Sequence, residues 1–160
     1  MTIPEELALV KRAQDGDRNA LSLLWDAITP KLYGYLVNLL RDKEKADDAL
    51  QNTWLNAMDA LPRFTPRGVR FSAWLFAIAR NVCRQQWRTA GREVGMEFPE
   101  EKEPVTQRAG VIQEKKLLID MALKQLPADD QEVLRLCYIA DLSCKEIAAV
   151  LNISSVSARV

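Results

Sequence analysis

The chain has 160 residues, 48% of them hydrophobic and 28% charged, with Lys+Arg 22 balanced by Asp+Glu 22 and no histidine. That length suits one modest domain or two small ones, and zero net charge excludes any argument for a polyanionic partner from total charge. Three cysteines without CxxC spacing exclude an ordinary zinc site, and no segment approaches the roughly 20 apolar residues of a membrane span. Neither a metal nor a cofactor is expected. The amino terminus lacks the cationic start and apolar run of a signal peptide, so a cytoplasmic protein without membrane insertion is expected. Few glycines and prolines, and no long strand-like alternation, predict an all-α chain.

Residues 4–14 read as a first helix, with Thr2 as N-cap, Pro4 in the first turn and Gly16 as terminator. Asp17 caps a second helix carrying Leu21, Leu24, Trp25 and Ile28. Pro30 kinks or restarts it, and Leu32, Tyr33, Leu36, Leu39 and Leu40 continue the apolar face. Asp42 caps a helix over 43–60, stopped by Pro62. Its inward face is Ala46, Leu50, Thr53, Trp54, Ala57 and Leu61. Asp47 and Asp48 suit the helix dipole, which explains them without any partner. It does not explain Leu55 and Met58, apolar residues on the outer face.

After the loop 64–70 comes the most informative helix, over 71–88. Phe71, Trp74, Leu75, Ile78 and Val82 form a buried stripe at helical spacing. The opposite face carries Arg80, Arg84, Trp87 and Arg88, with Asn81 beside them. Between 63 and 92 every charged residue is an arginine: Arg63, Arg67, Arg70, Arg80, Arg84, Arg88 and Arg92. A solvated helix face usually mixes signs. A one-sign arginine stripe with an aromatic in it points to a polyanion, because guanidinium binds phosphate or base edges bidentately. A plain core helix with a basic exterior is the rival reading.

The next stretch, to about Gly110, reads as a flexible linker, with Gly91, Gly95, Pro99, Pro104 and the acids Glu93, Glu97, Glu100, Glu101 and Glu103. A second helical set follows. It comprises a helix over 111–125 ended by Pro127, then one over 128–139 with Val133, Leu134, Leu136 and Cys137 apolar. Ser143-x-x-Glu146 is a capping box starting a short helix through Leu151. Asn152 turns the chain and Ser154 caps a last helix. This is the layout of a helix-turn-helix, or of a generic helical hairpin. Cys83 and Cys137 are expected as buried thiols in a reducing compartment.

Trp-Leu-x-x-Ile-Ala-Arg-Asn, Trp74 to Asn81, resembles the promoter-binding helix of the sigma-70 family, in its extracytoplasmic-function (ECF) group. The stretch 47–55 resembles region 2.2, and 126–160 resembles region 4. The three matches lie in family order. The resemblance implies two small helical domains, a region 2 bundle over 1–92 and a region 4 helix-turn-helix over 111–160, joined by a flexible linker at 93–110. It implies docking of Asp47, Asp48, Gln51, Asn52 and Leu55 on core RNA polymerase, through the β′ and β subunits. The −10 promoter strand would fall to Phe64, Arg67, Arg70, Phe71, Ser72, Arg80, Asn81, Arg84, Trp87 and Arg88. Trp87 is expected to face that strand and Trp74 to face the core. The −35 duplex would fall to Lys145, Ser154, Ser155, Ser157 and Arg159. The family's recognition helix continues beyond the position of Arg159, so region 4.2 is expected to be incomplete in this chain.

The expected function is promoter recognition and opening for transcription initiation. Promoter DNA and an anti-sigma factor are the further partners. No nucleophile beside a base and no glycine-rich phosphate loop is present, so no enzyme site is expected. The alternatives are a helix-turn-helix regulator independent of polymerase, and a sigma-like decoy that occupies an anti-sigma factor.

Overall fold

The computed structural model describes residues 1–66, 69–89, 118, 121–122 and 124–151. Six α-helices have defined bounds: α1 (Ile3–Gln14), α2 (Arg18–Leu40), α3 (Lys43–Ala60), α4 (Phe71–Thr89), α5 (Ala128–Tyr138) and α6 (Cys144–Leu151). A 3-10 turn, Leu61–Arg63, follows α3. Among the described residues no strand occurs, and the architecture is all-α. Residues 118, 121, 122 and 124 are helical, inside the helix expected over 111–125. The expected linker 93–110 and the last helix from Ser154 lie outside the described residues.

The starts of the helices follow capping chemistry. Thr2 and Glu5 form a capping box on α1, with Thr2 N donating to Glu5 Oε2 at 2.7 Å and Glu5 N to Thr2 Oγ1 at 3.3 Å. The Thr2 contacts hold the Glu5 carboxyl below its usual range. Asp17 Oδ1 accepts from Asn19 N and Ala20 N, and Asp42 Oδ1 from Glu44 N and Lys45 N. Hydrogen bonds from Arg12, with those backbone donors, keep Asp17 below the ordinary carboxylate range.

Of the two outcomes expected at Pro30, a restart does not occur, since α2 runs unbroken from Arg18 to Leu40. A proline inside a helix frees the carbonyl four residues earlier. Here Pro30 and Asp26 are both exposed, so water can serve that carbonyl. Tyr35, rather than the expected Tyr33, is the fully buried ring of α2, set edge-on to Phe76 at 5.4 Å. On α3 the buried face includes Ala49, while Leu50 is only half-buried.

The N-terminal helices close around an aromatic cluster. Phe64 packs on Phe71 (5.6 Å between centroids) and on Trp74 (4.8 Å), and Phe71 packs on Trp54 (6.4 Å). Trp54 Nε1 also donates to Thr29 Oγ1 at 3.2 Å, tying α3 to α2. Helix α4 is buried on two sides, not one: besides Phe71, Leu75 and Val82, it hides Ser72, Phe76, Ala79 and Cys83. The reason is the C-terminal half. Helix α6 packs on α4, and Leu136, Ala140, Leu142, Ile147 and Val150 join the same apolar core as α2 and α4. Cys83 is buried as expected, but Cys137 is exposed, because Glu132, Leu136 and Ala140 occupy the inward stripe of that segment.

Candidate functional site

The outer face of α3 presents Asp47, Asp48, Gln51, Asn52 and Leu55 to solvent, while Ala46, Ala49, Thr53, Trp54 and Ala57 are buried. Leu55 is 57% exposed, and Met58, one turn on, is exposed as well. Trp25 of α2 is also exposed, and its ring lies 4.9 Å from that of Trp54. Trp25, expected on the apolar face of α2, is therefore exposed rather than buried. Tyr33 sits beside Asp47, and burial together with the carboxylate raises its hydroxyl pKa.

The arginine stripe of α4 is only partly open. Asn81 and Arg88 are exposed, and Arg84 is half-buried. Arg80 lies 3.5 Å from Glu132 of α5, its side chain 17% exposed. Arg70, just before α4, donates from Nε to Glu146 of α6 at 2.9 Å and from Nη2 to the Asp141 carbonyl at 3.3 Å. So two arginines expected on DNA meet carboxylates of the C-terminal half. Trp87 packs partly buried against the core instead of standing free on the cationic face.

Three further residues expected at the DNA strand are off the surface in this arrangement. Phe64 and Phe71 belong to the aromatic cluster. Ser72 is buried and bonded to Glu6 of α1, from N at 2.8 Å and from Oγ at 2.6 Å. Arg67 lies outside the described residues. Of the expected −35 set, Lys145 is exposed on α6, and Ser154, Ser155, Ser157 and Arg159 lie outside the described residues.

Polar contacts cross the seam between the halves, some of them buried. Tyr35 donates its hydroxyl to Glu132, Arg135 Nε donates to Asn38 Oδ1 at 2.7 Å, and Lys31 pairs with Asp141 at 3.0 Å. Burial, followed by the nearby Glu132 charge, pushes the Tyr35 hydroxyl well above its usual value. The same two causes push the Cys83 thiol up to about 12. Ser143 caps α6, accepting from Glu146 N at 3.2 Å and donating to Glu146 Oε1 at 3.0 Å.

Sequence reading missed Glu6, Glu132 and Glu146 as contact residues. The signal was present for all three, since Glu146 is in phase with buried Val150. Glu6 is in phase with buried Val10, and Glu132 with buried Leu136 and Ala140. A carboxylate in phase with an apolar stripe has to find a donor, because a bare buried charge is too costly. Among the described residues no group of three or more His, Cys, Asp or Glu could hold a metal ion. No helix among them is long and apolar enough to cross a membrane.

The region 2 model of the sigma-70 family matches residues 24–93, and its region 4 model matches residues 116–160. The chain is 32% identical to ECF RNA polymerase sigma factor SigD of Mycobacterium tuberculosis, over 96% of this chain and 76% of the relative. The chain belongs to the ECF sigma factors of the sigma-70 family. Another similar sigma factor is CarQ of Myxococcus xanthus, 31% identical over 94% of this chain and 87% of that protein. Among solved structures, the sigma factor RpoE in complex with the anti-sigma factor NepR from Bartonella quintana is similar. Its TM-score is 0.66 and its identity 26%, covering 87% of each chain. The fold is also that of CnrH in complex with the cytosolic domain of CnrY, with TM-score 0.73 and 23% identity over 97% of this chain and 88% of that one. This sigma factor thus carries both family regions on one all-α chain, and α1 precedes the region 2 match.

Proposed function

We propose that the chain works as a sigma factor through three surfaces, and carries out no chemistry of its own. The outer face of α3, with Asp47, Asp48, Gln51, Asn52 and Leu55, docks on core RNA polymerase. The observation that carries this is the contrast across α3: one face is fully used by the core, and the other leaves Leu55 and Met58 bare among polar groups. Such a mixed face suits a protein partner.

Helix α4 takes the −10 strand. Arg70, Arg80, Arg84 and Arg88 supply the salt-sensitive phosphate contacts, and Asn81 contacts a base. Melting the duplex costs a few kcal/mol for each base taken from the stack, and the strand contacts offset that cost. Two domains, 1–92 and 111–160, joined by 93–110, allow the C-terminal half to lift away. Arg70 and Arg80 then exchange Glu146 and Glu132 for phosphate. The C-terminal half, with Lys145, Ser154, Ser155, Ser157 and Arg159, reads the −35 duplex.

The likeness to a sigma factor crystallised with its anti-sigma factor supports such a partner here. Co-elution of the chain with core RNA polymerase is the direct test. A regulator independent of polymerase binds duplex DNA without core, and a decoy binds only the anti-sigma factor. Either result, with no core complex, overturns the proposal.

A further inference from the structure

Helix α1 lies outside the region 2 match, yet it makes two polar contacts that bracket the segment leading into α4. Gln14 Nε2 donates to the Leu61 carbonyl at 3.1 Å and to the Phe64 carbonyl at 2.7 Å. Glu6, 3% exposed, accepts from both N and Oγ of Ser72. The two residues are on one rigid helix, roughly 12 Å apart along its axis at 1.5 Å per residue. One grips the backbone where the chain leaves the 3-10 turn. The other grips it at the second residue of α4.

Each contact answers a local need. The first amides of a helix have no intrahelical acceptor, and a carboxylate there also complements the helix dipole. Glu6 meets that need from another helix, where a local Ser, Thr or Asp usually serves. Gln14 serves two carbonyls that follow α3. Between these two points Thr65 and Pro66 are exposed, and Val69 and Arg70 are half-exposed. The Phe64 and Phe71 rings, next to the two gripped points, pack edge-on at 5.6 Å.

We propose that Gln14 and Glu6 are positioning residues for −10 recognition. They act as a splint: α1 touches no DNA, but fixes the two flanks of the segment and the start of α4 before the strand arrives. Base discrimination demands groups held to about half an ångström, and pre-ordered flanks give up less freedom on binding. Phosphate binding by the arginine stripe has no such demand. The splint therefore governs sequence preference and leaves non-specific affinity alone. This rests on the reading that α4 and the residues before it take the −10 strand.

The test uses the full chain assembled with core RNA polymerase. Wild-type holoenzyme first selects its best single-stranded oligonucleotide from a random pool. Fluorescence anisotropy then compares that oligonucleotide with a scrambled version across salt concentrations. Gln14→Ala and Glu6→Ala are expected to lower the ratio of the two affinities about tenfold, the size of one lost base contact. Scrambled-strand affinity and its salt slope should stay at the wild-type value. Glu6→Gln keeps an acceptor for Ser72 N and a donor for Ser72 Oγ, and should retain the wild-type ratio to within about twofold. Should Glu6→Ala unfold, Gln14→Ala, which removes a half-buried side chain, carries the test with Glu6→Gln. Wild-type ratios in Gln14→Ala overturn the splint. Equal losses for both oligonucleotides also overturn it, since they mean general destabilisation. A wild-type holoenzyme that selects no sequence overturns the underlying −10 reading, and the splint with it.

Discussion

Arg80 of α4 and Glu132 of α5 lie 3.5 Å apart with side chains 17% and 10% exposed, so a basic residue of the arginine stripe faces a carboxylate from the C-terminal half of the same chain. Arg70 and Glu146 repeat the arrangement at 2.9 Å. Both pairs join the N-terminal and C-terminal halves, and both are largely buried. Removing one partner of a buried pair costs about 3–5 kcal/mol, because the remaining charge stays desolvated. If the halves part as the two proposed domains, opening the seam returns both charges to water and removes that cost.

Glu132→Gln should therefore open the seam. It removes the charge that faces Arg80 and Arg135 but keeps a hydrogen-bonding group for Tyr35. The expected result is a larger radius of gyration in small-angle scattering. Single-stranded DNA should bind about tenfold more tightly to the free chain, a modest fraction of the pair's cost. An unchanged radius with unchanged DNA affinity contradicts it.

Core binding should depend on the outer face of α3. Asp48→Lys combined with Gln51→Ala is expected to weaken binding to core polymerase at least about tenfold, as loss of an interface hot spot does. Both residues are exposed, so the melting temperature should barely move. A pull-down checks the first and circular dichroism the second.

The end of the stripe beyond Arg80, with Arg84 half-buried and Arg88 exposed, should carry the salt dependence. Arg84→Ala and Arg88→Ala are each expected to reduce the slope of log affinity against log salt by about 0.7, the single-strand value per phosphate contact. Trp87→Ala should behave differently. Its ring packs on the core, so the loss is stability, about 1–3 kcal/mol for a partly buried large side chain. Anisotropy titrations and thermal melts separate the two effects.

Cysteine reactivity should report the packing. Cys83 is buried and its thiol is pushed up from a usual 9.0 to about 12, whereas Cys137 and Cys144 are exposed. Alkylation of the native chain at pH 8 should label Cys137 and Cys144 and spare Cys83, as mass spectrometry of peptides would show. The folded state holds the Cys83 proton more tightly than the unfolded state does. Its contribution is full below about pH 9 and is lost as pH rises towards about 12. Tyr35, raised by burial, acts in the same direction. Thermal melts from pH 8 to 11 should show falling stability, less steep in Cys83→Ser.

Local rules made much of the fold legible. Thr2, Asp17, Asp42 and Ser143 cap the helices they were expected to cap, because capping depends on a few adjacent residues. The α3 surface was legible for the same reason: period and polarity alone place Asp47, Asp48, Gln51, Asn52 and Leu55 outward. The seam was not. Periodicity says that Phe76, Ala79 and Cys83 are apolar, but not that a second helical pair covers them. Trp87 shows the same limit, since a tryptophan among arginines fits a strand-binding face and a core edge equally well in sequence. That α2 continues through Pro30 was not legible either, because the cost of a proline depends on whether water reaches the freed carbonyl, which is a tertiary fact.

The central claim is that this chain directs RNA polymerase to promoters. The most direct measurement is run-off transcription with core polymerase and fragments of genomic DNA from the same organism. Chain plus core should give discrete transcripts that core alone does not, and the Asp48→Lys, Gln51→Ala variant should lose them. No transcript beyond the core background, with the chain eluting apart from core on size exclusion, would contradict the account.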